Sequence, residues 1–227
     1  MYQVNILYLY LTFVSTYVGT SILCFLHDYF FFNKKNKIQF DNKNDVISTY
    51  KKAFWVCFQN VFLYIPLFIL GSIYYSDIFS HKFSFGHGNS LFFDLYDIPK
   101  FITNFFLVDI FFYSFHRIFH FPLLYNLFHK KHHEFKKPVS ITALYNTPID
   151  CFFSNMLPIL LPIIILDEGT LISHLWIITA TVDTIWISHF GRKNWSEFHD
   201  LHHEKFKYNY GTEVFMDRLF GTLYVAN

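Results

Sequence analysis

The stretch 151–188 reads CFFSNMLPILLPIIILDEGTLISHLWIITATVDTIWIS and decides the fold. Two apolar runs, 151–166 and 170–188, flank an acidic turn, Asp167-Glu168-Gly169. Each run is close to the length that a helix needs to cross the hydrocarbon core of a bilayer. The stretch therefore predicts a helical hairpin with its turn at the far membrane face and both ends on one face. The two prolines and the shortness of the first arm leave a re-entrant form open.

Three further apolar runs precede the hairpin. Residues 4–26 and 53–75 carry no formal charge, and each 23-residue run would extend about 34 Å as a helix. The run 98–115 is weaker because Asp109 interrupts it. Hydrophobic residues make up 53% of the chain and charged residues 15%, against about 25% in a typical soluble domain. We expect an all-α, polytopic membrane helical bundle of four to five spans, or fewer if the hairpin is re-entrant.

The distribution of positive charge predicts the orientation. Of the 18 Lys and Arg residues, 16 lie in 27–52, in 116–150 or after Ser188, and all three segments share one face in this topology. The positive-inside rule assigns that face to the cytoplasm. The net charge of +1 gives no reason to expect a nucleic-acid partner, and only three cysteines argue against a secreted disulfide scaffold.

Histidines are concentrated in two windows, 116–133 and 189–203, which contain nine of the 13. Both windows lie on the predicted cytoplasmic face, and the hairpin between them allows the two clusters to meet. We therefore expect a cytoplasmic, histidine-rich helical cap. The nine residues are His116, His120, His129, His132, His133, His189, His199, His202 and His203.

The spacing of these histidines suggests a metal site. His116 and His120 are four residues apart, so on a helix their rings project from one face. The two boxes 129–133 and 199–203 both have the pattern HxxHH, which repeats that arrangement. Neutral imidazole binds Zn, Cu, Fe and Ni. A four-ligand structural zinc site would leave about half of the rings idle, so eight or nine ligands fit two metal ions better.

The stretch FHRIFHFPLLYNLFHKKHHEF at 115–135 and the segment FHDLHHEKFKYNYGTEVFMDRLFGT at 198–222 resemble the fatty acid hydroxylase/sterol desaturase superfamily. The resemblance covers about half of the chain and implies a membrane non-haem di-iron enzyme. It implies that the eight box histidines are the catalytic ligands and that His189 is the single family histidine upstream of the last box. Thr147-Pro148 stands where the family usually has His-Pro.

The resemblance also implies cofactors, partners and a location. It implies two iron ions, O2 as co-substrate, and zinc as a substituted metal. Electrons would come from an external donor such as cytochrome b5 with its NAD(P)H reductase at the endoplasmic reticulum. The expected reaction is hydroxylation or desaturation of an unactivated C–H bond, with a sterol as the first choice of substrate. A sphingoid base or a fatty acyl chain is the alternative within the superfamily.

Acidic residues beside the boxes are candidates to orient the ligand rings, because a carboxylate that accepts a ring N–H fixes the imidazole tautomer. A metal-binding membrane protein without oxygen chemistry is a competing class, although a carrier would need polar ligands along its spans. As domains, we expect 1–115 to form the N-terminal spans with a basic loop and 116–227 the histidine-box region, integrated into one domain. The candidate orienting residues are Asp109, Glu134, Asp200 and Asp217.

Overall fold

The computed structural model describes residues 6–33, 40–78, 94–191 and 197–225. Among these residues it is helical without a strand, which confirms the predicted all-α architecture. Parts of the predicted basic connections, 34–39 and 192–196, lie outside the described residues. The α-helices are α1 (Ile6–Phe31), α2 (Lys43–Gln59), α3 (Ile65–Ile78), α4 (Asp97–Phe119), α5 (Pro122–Leu124), α6 (Pro148–Asp150), α7 (Leu157–Ile165), α8 (Thr170–Val182), α9 (Glu197–Lys205) and α10 (Val214–Leu219).

Wider π-helical segments interrupt or extend several of these helices. One of them joins α2 to α3 without a break, and two others lie in the arms of the hairpin. There are also two short 3-10 helices: His132–Glu134 overlaps the end of the histidine box 129–133, and Ser140–Leu144 follows that box. The π-helical segments are Asn60–Tyr64, Tyr125–His129, Cys151–Met156 and Asp183–Ser188.

Five helical stretches are long and apolar enough to cross a membrane, so the chain is an integral, multi-pass membrane protein. Many of their large apolar side chains are exposed, as a bilayer permits; Leu23 and Leu70 are examples. Helices satisfy their backbone hydrogen bonds internally, which lipid cannot do for them. The five stretches are Ile6–Phe31, Lys43–Tyr74, Asp97–Phe119, Pro148–Ile165 and Thr170–Ser188.

The hairpin packs against α1 and α4. Trp176 of α8 packs edge-on against Phe105 of α4, with ring centroids 5.3 Å apart, and donates a hydrogen bond to the Ile159 carbonyl in α7. His174 of α8 is hydrogen-bonded to the Thr12 hydroxyl of α1 at 2.7 Å, so this histidine ties two helices together.

The turn of the hairpin and the histidines lie at opposite ends of the bundle. Lys100, near the start of α4, donates to the Asp167 carbonyl at 3.1 Å, and Asn104 donates to the buried Glu168 carboxylate at 2.7 Å. His116 lies near the other end of α4, about three helical turns beyond Asn104. Both arms of the hairpin therefore return the chain to the end of the bundle that carries the histidine boxes.

Candidate metal centre

All nine predicted histidines come together at one end of the bundle. His116 lies in the last turn of α4, His129 ends a π-helical segment, and His189 follows the second arm of the hairpin. The third box, 199–203, lies on α9. Eight of the nine residues are buried and His120 is partly exposed. Burying so many rings in one place is unfavourable unless a ligand occupies their lone pairs.

The histidines form two groups in which the candidate ligand atoms lie within 4.8 Å of one another. Group one has five members and group two has four. The groups adjoin, since the ring centroid of His203 lies 4.7 Å from that of His132 and 4.7 Å from that of His133. Group one is His116, His120, His129, His133 and His202, and group two is His132, His189, His199 and His203.

Each HxxHH box supplies ligands to both groups. The second box gives its i and i+4 residues, His129 and His133, to group one, and its i+3 residue to group two. The third box does the reverse: His199 and His203 join group two, and His202 joins group one. The adjacent histidines in each box thus belong to different groups, and the pattern HxxHH links two candidate metal sites through one short segment.

The geometry of group one fits a single metal ion. The Nε2 atom of His202 lies 3.1 Å from that of His120 and 3.3 Å from that of His133, and the latter two are 3.2 Å apart. Three nitrogens bound at about 2.0–2.1 Å to one tetrahedral ion would lie about 3.3–3.4 Å apart. In group two, the Nε2 atoms of His199 and His203 are 3.0 Å apart. The nitrogens converge as ligands of a common ion would.

Backbone carbonyls set the tautomers of three rings. The Nδ1 atom of His116 contacts the Tyr210 carbonyl at 2.7 Å, and that of His202 contacts the Tyr208 carbonyl at 2.7 Å. In group two, His189 Nδ1 contacts the Thr184 carbonyl at 2.8 Å. Since a carbonyl oxygen only accepts, each Nδ1 carries the proton and each Nε2 keeps a lone pair. These lone pairs are directed toward the two centres.

Several ring nitrogens are buried without a hydrogen-bond partner among the described residues. They include Nε2 of His116, His129 and His189, the rings whose Nδ1 atoms are already engaged. A buried lone pair without a donor is unfavourable, and metal coordination would satisfy it. The donor set, nine imidazoles in two groups, therefore fits two metal ions.

Burial lowers the pKa of five of these imidazoles and keeps them neutral. Desolvation lowers the pKa of His120 to about 2 and that of His189 to about 4, with neighbouring histidines adding to the effect at His120. Desolvation also lowers the pKa of His199, His202 and His203 well below the usual value near 6.5. Only a neutral imidazole has a lone pair to donate to a metal. The site is thus in its ligating form at neutral pH.

The four candidate orienting carboxylates have the following positions. Asp109 accepts the backbone N–H groups of Glu213 at 2.9 Å and Met216 at 2.9 Å. Asp217 accepts those of Tyr210 at 2.9 Å and Gly211 at 2.7 Å. Two aspartates therefore fix the loop whose Tyr210 carbonyl binds His116.

The other two candidates lie outside that loop. Glu134 accepts from the Tyr145 hydroxyl at 2.8 Å. Asp200 lies on α9 between His199 and Leu201.

Asp150, which the sequence analysis missed, contacts the ring of His129 in group one. Its Oδ2 atom lies 2.9 Å from His129 Nδ1, and both side chains are almost fully buried. Thr147 stands in the place of the usual family histidine and caps α6. Its hydroxyl accepts a hydrogen bond from the Asp150 backbone N–H at 3.3 Å and donates one to the Phe128 carbonyl at 2.9 Å. The Thr-Pro-x-Asp pattern at 147–150 was the available signal, because Thr before Pro is a helix-start pattern.

A cavity of about 60 Å³ adjoins the histidines on the membrane side. Both groups contribute to its wall, through residues such as His116 and His189, and α4 and both arms of the hairpin close it. A cavity of this size holds a few water molecules or the reacting part of a larger ligand. The site can therefore hold metal ions next to a space that opens toward the apolar interior.

Comparisons with known proteins support the same chemistry. The model of the fatty acid hydroxylase family matches residues 101–222, which include every histidine of both groups. The chain is 37% identical over 118 residues to fatty acid hydroxylase domain-containing protein 2 of Homo sapiens, a match that covers 50% of this chain and 35% of that protein. It is 28% identical over 221 residues to methylsterol monooxygenase 1 of Rattus norvegicus, covering 92% of this chain and 73% of the relative.

A fatty acid hydroxylase of Mycosarcoma maydis is 34% identical over 118 residues, which cover 50% of this chain and 30% of the relative. The matched part of the chain thus spans about a third of the length of the first curated relatives. No solved structure matches the chain at a significant level.

Proposed function

Because the chain belongs to the fatty acid hydroxylase family, we propose that it is a membrane-bound, oxygen-dependent oxidoreductase with two iron ions. Its substrate is a lipid of the sterol type, and it hydroxylates or desaturates an unactivated C–H bond. The observation that carries this proposal is the pair of adjacent histidine groups at one end of an apolar bundle.

The reaction needs an external source of electrons. For hydroxylation, R–H, O2, two electrons and two protons give R–OH and water. One oxygen atom enters the C–H bond and the other is reduced to water. The proposed donor is cytochrome b5 with an NAD(P)H reductase, at the endoplasmic reticulum. The Lys and Arg distribution supports a cytoplasmic position for the histidine groups, where a soluble donor domain has access.

The residues of the chain hold and surround the reacting centre. The five histidines of group one would hold one iron ion, and the four of group two would hold the other. When bound, iron supplies the redox chemistry that activates O2. The carbonyls of Tyr208, Tyr210 and Thr184 hold the ring orientation, and Asp150 does the same for His129. The membrane-side cavity orients the substrate and excludes water, which governs which C–H bond reacts.

The length of one comparison favours a sterol substrate. The rat relative named methylsterol monooxygenase 1 matches 92% of the chain, including the spans, whereas the fungal fatty acid hydroxylase matches 50%. The fungal relative supports the alternative, a fatty acyl or sphingoid-base substrate on the same metal centre. The two candidates differ in the lipid and share the chemistry.

The test combines metal content with product analysis. Detergent-purified protein should contain about two iron ions per chain, as measured by inductively coupled plasma mass spectrometry. With O2, NADH, cytochrome b5 and its reductase, it should convert one member of a panel of sterols, sphingoid bases and fatty acids. A panel without any O2-dependent product would contradict the proposal. Zinc in the purified protein calls for reconstitution with iron, because overexpressed protein can acquire the wrong metal.

Histidine variants test the two centres separately. His203→Ala should remove about one iron ion per chain by weakening group two, and His202→Ala should do the same through group one. Both should abolish turnover while membrane insertion stays intact. His174→Gln is the matched control, since His174 bonds Thr12 away from both groups. Full iron content and turnover in either test variant would refute that ligand's role.

A further inference from the structure

Asn155 lies where three internal cavities meet. It is in the π-helical segment Cys151–Met156, within the first arm of the hairpin. Asn155 lines the 60 Å³ cavity next to the histidines, an apolar cavity of about 50 Å³, and a smaller one of about 20 Å³. Among the described residues, Thr184 of the opposite arm is the other one that lines all three.

The 50 Å³ cavity extends from Asn155 into the membrane-spanning part of the bundle. Apart from Asn155, its walls are mostly aliphatic and aromatic side chains from α1, the hairpin and the segment around Leu144. Ile6 at one end of α1 and Tyr17 further along it both contribute, which shows that the cavity runs along the helix. An apolar space that shares wall residues with a histidine-facing space suits an apolar part of a lipid whose reacting end points toward the histidines.

The Asn155 amide has no hydrogen-bond partner among the described residues. Two neighbouring polar side chains are already engaged: Thr184 donates to the Ala180 carbonyl at 2.8 Å, and Ser154 donates to the Asp150 carboxylate at 2.7 Å. The Thr181 hydroxyl also lines the 50 Å³ cavity and has no partner among the described residues, but Thr181 does not line the cavity next to the histidines. An amide inside a membrane-spanning hairpin is unfavourable unless something binds it. Asn155 can both donate and accept, which matches the requirements of an alcohol.

We propose that Asn155 binds a hydroxyl group of the lipid substrate and thereby positions the neighbouring carbon at the metal centre. This inference rests on the proposed function and makes Asn155 a specificity-determining residue. Since the space between Asn155 and the histidines is only about 60 Å³, the bound oxygen lies within a few bonds of the carbon that reacts. The substrate class is a lipid with a hydroxyl within a few bonds of the oxidised carbon. A chain oxidised far from any oxygen does not fit.

The 20 Å³ cavity does not provide a competing site. Asp183 and Glu213 line it, but its volume is that of about one water molecule. A space of that size holds one hydroxyl oxygen at most and leaves no room for the carbon that would react. Asn155 lines both the 50 Å³ cavity and the cavity next to the histidines, and its amide can both donate and accept.

The experiment compares matched substrates in wild-type protein and Asn155→Leu. The pair is a 4-methylsterol with a free 3-hydroxyl, which lies on the carbon next to the methyl-bearing carbon, and its 3-deoxy counterpart. Wild type should prefer the hydroxyl-bearing sterol by about tenfold or more in kcat/KM. Asn155→Leu should reduce this preference to about one by losing activity on the hydroxyl-bearing member alone.

Controls separate recognition from folding and from the function itself. Thr179→Val, in the exposed part of the second arm, should keep the preference. Asn155→Ser, which keeps a hydroxyl, should retain part of it and serves as a second variant if Asn155→Leu does not fold. An unchanged preference in Asn155→Leu, or turnover by wild type of lipids without a hydroxyl only, would overturn the inference while leaving the oxidoreductase assignment in place.

A binding measurement makes the inference independent of turnover. Tritiated 4-methylsterol, added to purified protein without an electron donor, should bind wild type about tenfold more tightly than Asn155→Leu. If the protein binds the sterol in this way but forms no product, the proposed reaction is wrong and the recognition role stands. Equal binding by the two proteins overturns the recognition role.

Discussion

At the scale of single residues, hydrogen-bond partners that are distant in sequence decide which ring nitrogen of a histidine carries the proton. The Nδ1 atom of His129 donates to Asp150, and that of His116 donates to the carbonyl of Tyr210, which lies 94 positions away. Each contact fixes a proton on Nδ1 and leaves Nε2 free as a ligand. The ability of these histidines to bind a metal ion thus depends on residues that would not bind the metal themselves.

Asp150→Asn tests this dependence. The substitution keeps the shape but removes the negative charge that polarises His129, so iron affinity or activity should fall about 10–100-fold. The measurement is iron retained during titration with a chelator, with turnover recorded in parallel. Glu134→Gln is the matched control, because Glu134 bonds Tyr145. A loss in the control as large as in Asp150→Asn would contradict the assigned difference between the two carboxylates.

At the scale of elements, the segment 209–217 is shaped by two buried carboxylates. Asp109 and Asp217 together accept several of its backbone N–H groups. Position 211 requires glycine because neighbouring atoms leave no room for a Cβ atom. A Cβ at this position would overlap an Asp109 carboxylate oxygen and lie 2.8 Å from the Glu213 carbonyl. The segment is therefore rigid where it presents the Tyr210 carbonyl to His116.

Gly211→Ala should displace this segment. We expect a loss of about 1–3 kcal/mol in stability, in line with overpacking, and weaker iron binding in group one, since the Tyr210 carbonyl moves. Thermal unfolding in detergent and iron content measure the two effects. Gly19→Ala is the control, because a Cβ at Gly19 meets no atom within 4 Å. A Gly211→Ala protein with normal melting and iron content would disprove the packing argument.

The sequence predicted the elements better than their contacts. Long apolar runs and histidine spacing are local signals, so the spans and the convergence of both windows could be predicted. The division of each HxxHH box between two groups could not, because it depends on which distant rings pack beside each box: 129–133 passes from a π-helical segment into a 3-10 helix, whereas 199–203 lies on the regular helix α9 and is divided as well. Asp150 and the Tyr208 and Tyr210 carbonyls were missed for a related reason: their contacts depend on how loops pack.

At the scale of the whole molecule, the bundle surrounds a cluster of neutral imidazoles. If these rings were exposed to water, they would be protonated in mild acid. Folding lowers the pKa of His120 to about 2 and of His189 to about 4 through burial, whereas an unfolded imidazole titrates near 6.5. Below about pH 6.5, the histidines of the unfolded chain therefore bind protons, whereas the same histidines in the folded protein stay neutral. The stability of the folded protein must fall as the pH decreases through this window, and it is fully present above it.

Metal-free protein should show this dependence directly. With iron removed by a chelator, the thermal midpoint in detergent should be nearly constant from pH 8 to 7 and should fall between pH 6.5 and 5. Each buried histidine that stays neutral contributes up to about 1.4 kcal/mol per pH unit. His189→Leu should flatten the decline, because the lowered pKa of His189 in the folded protein no longer contributes. Iron should raise the midpoint at neutral pH and lose that effect in acid, since protons and metal compete for the same lone pairs. A midpoint that stays constant down to pH 5 in the metal-free protein would mean that the imidazoles are open to water, which contradicts the buried centre described above.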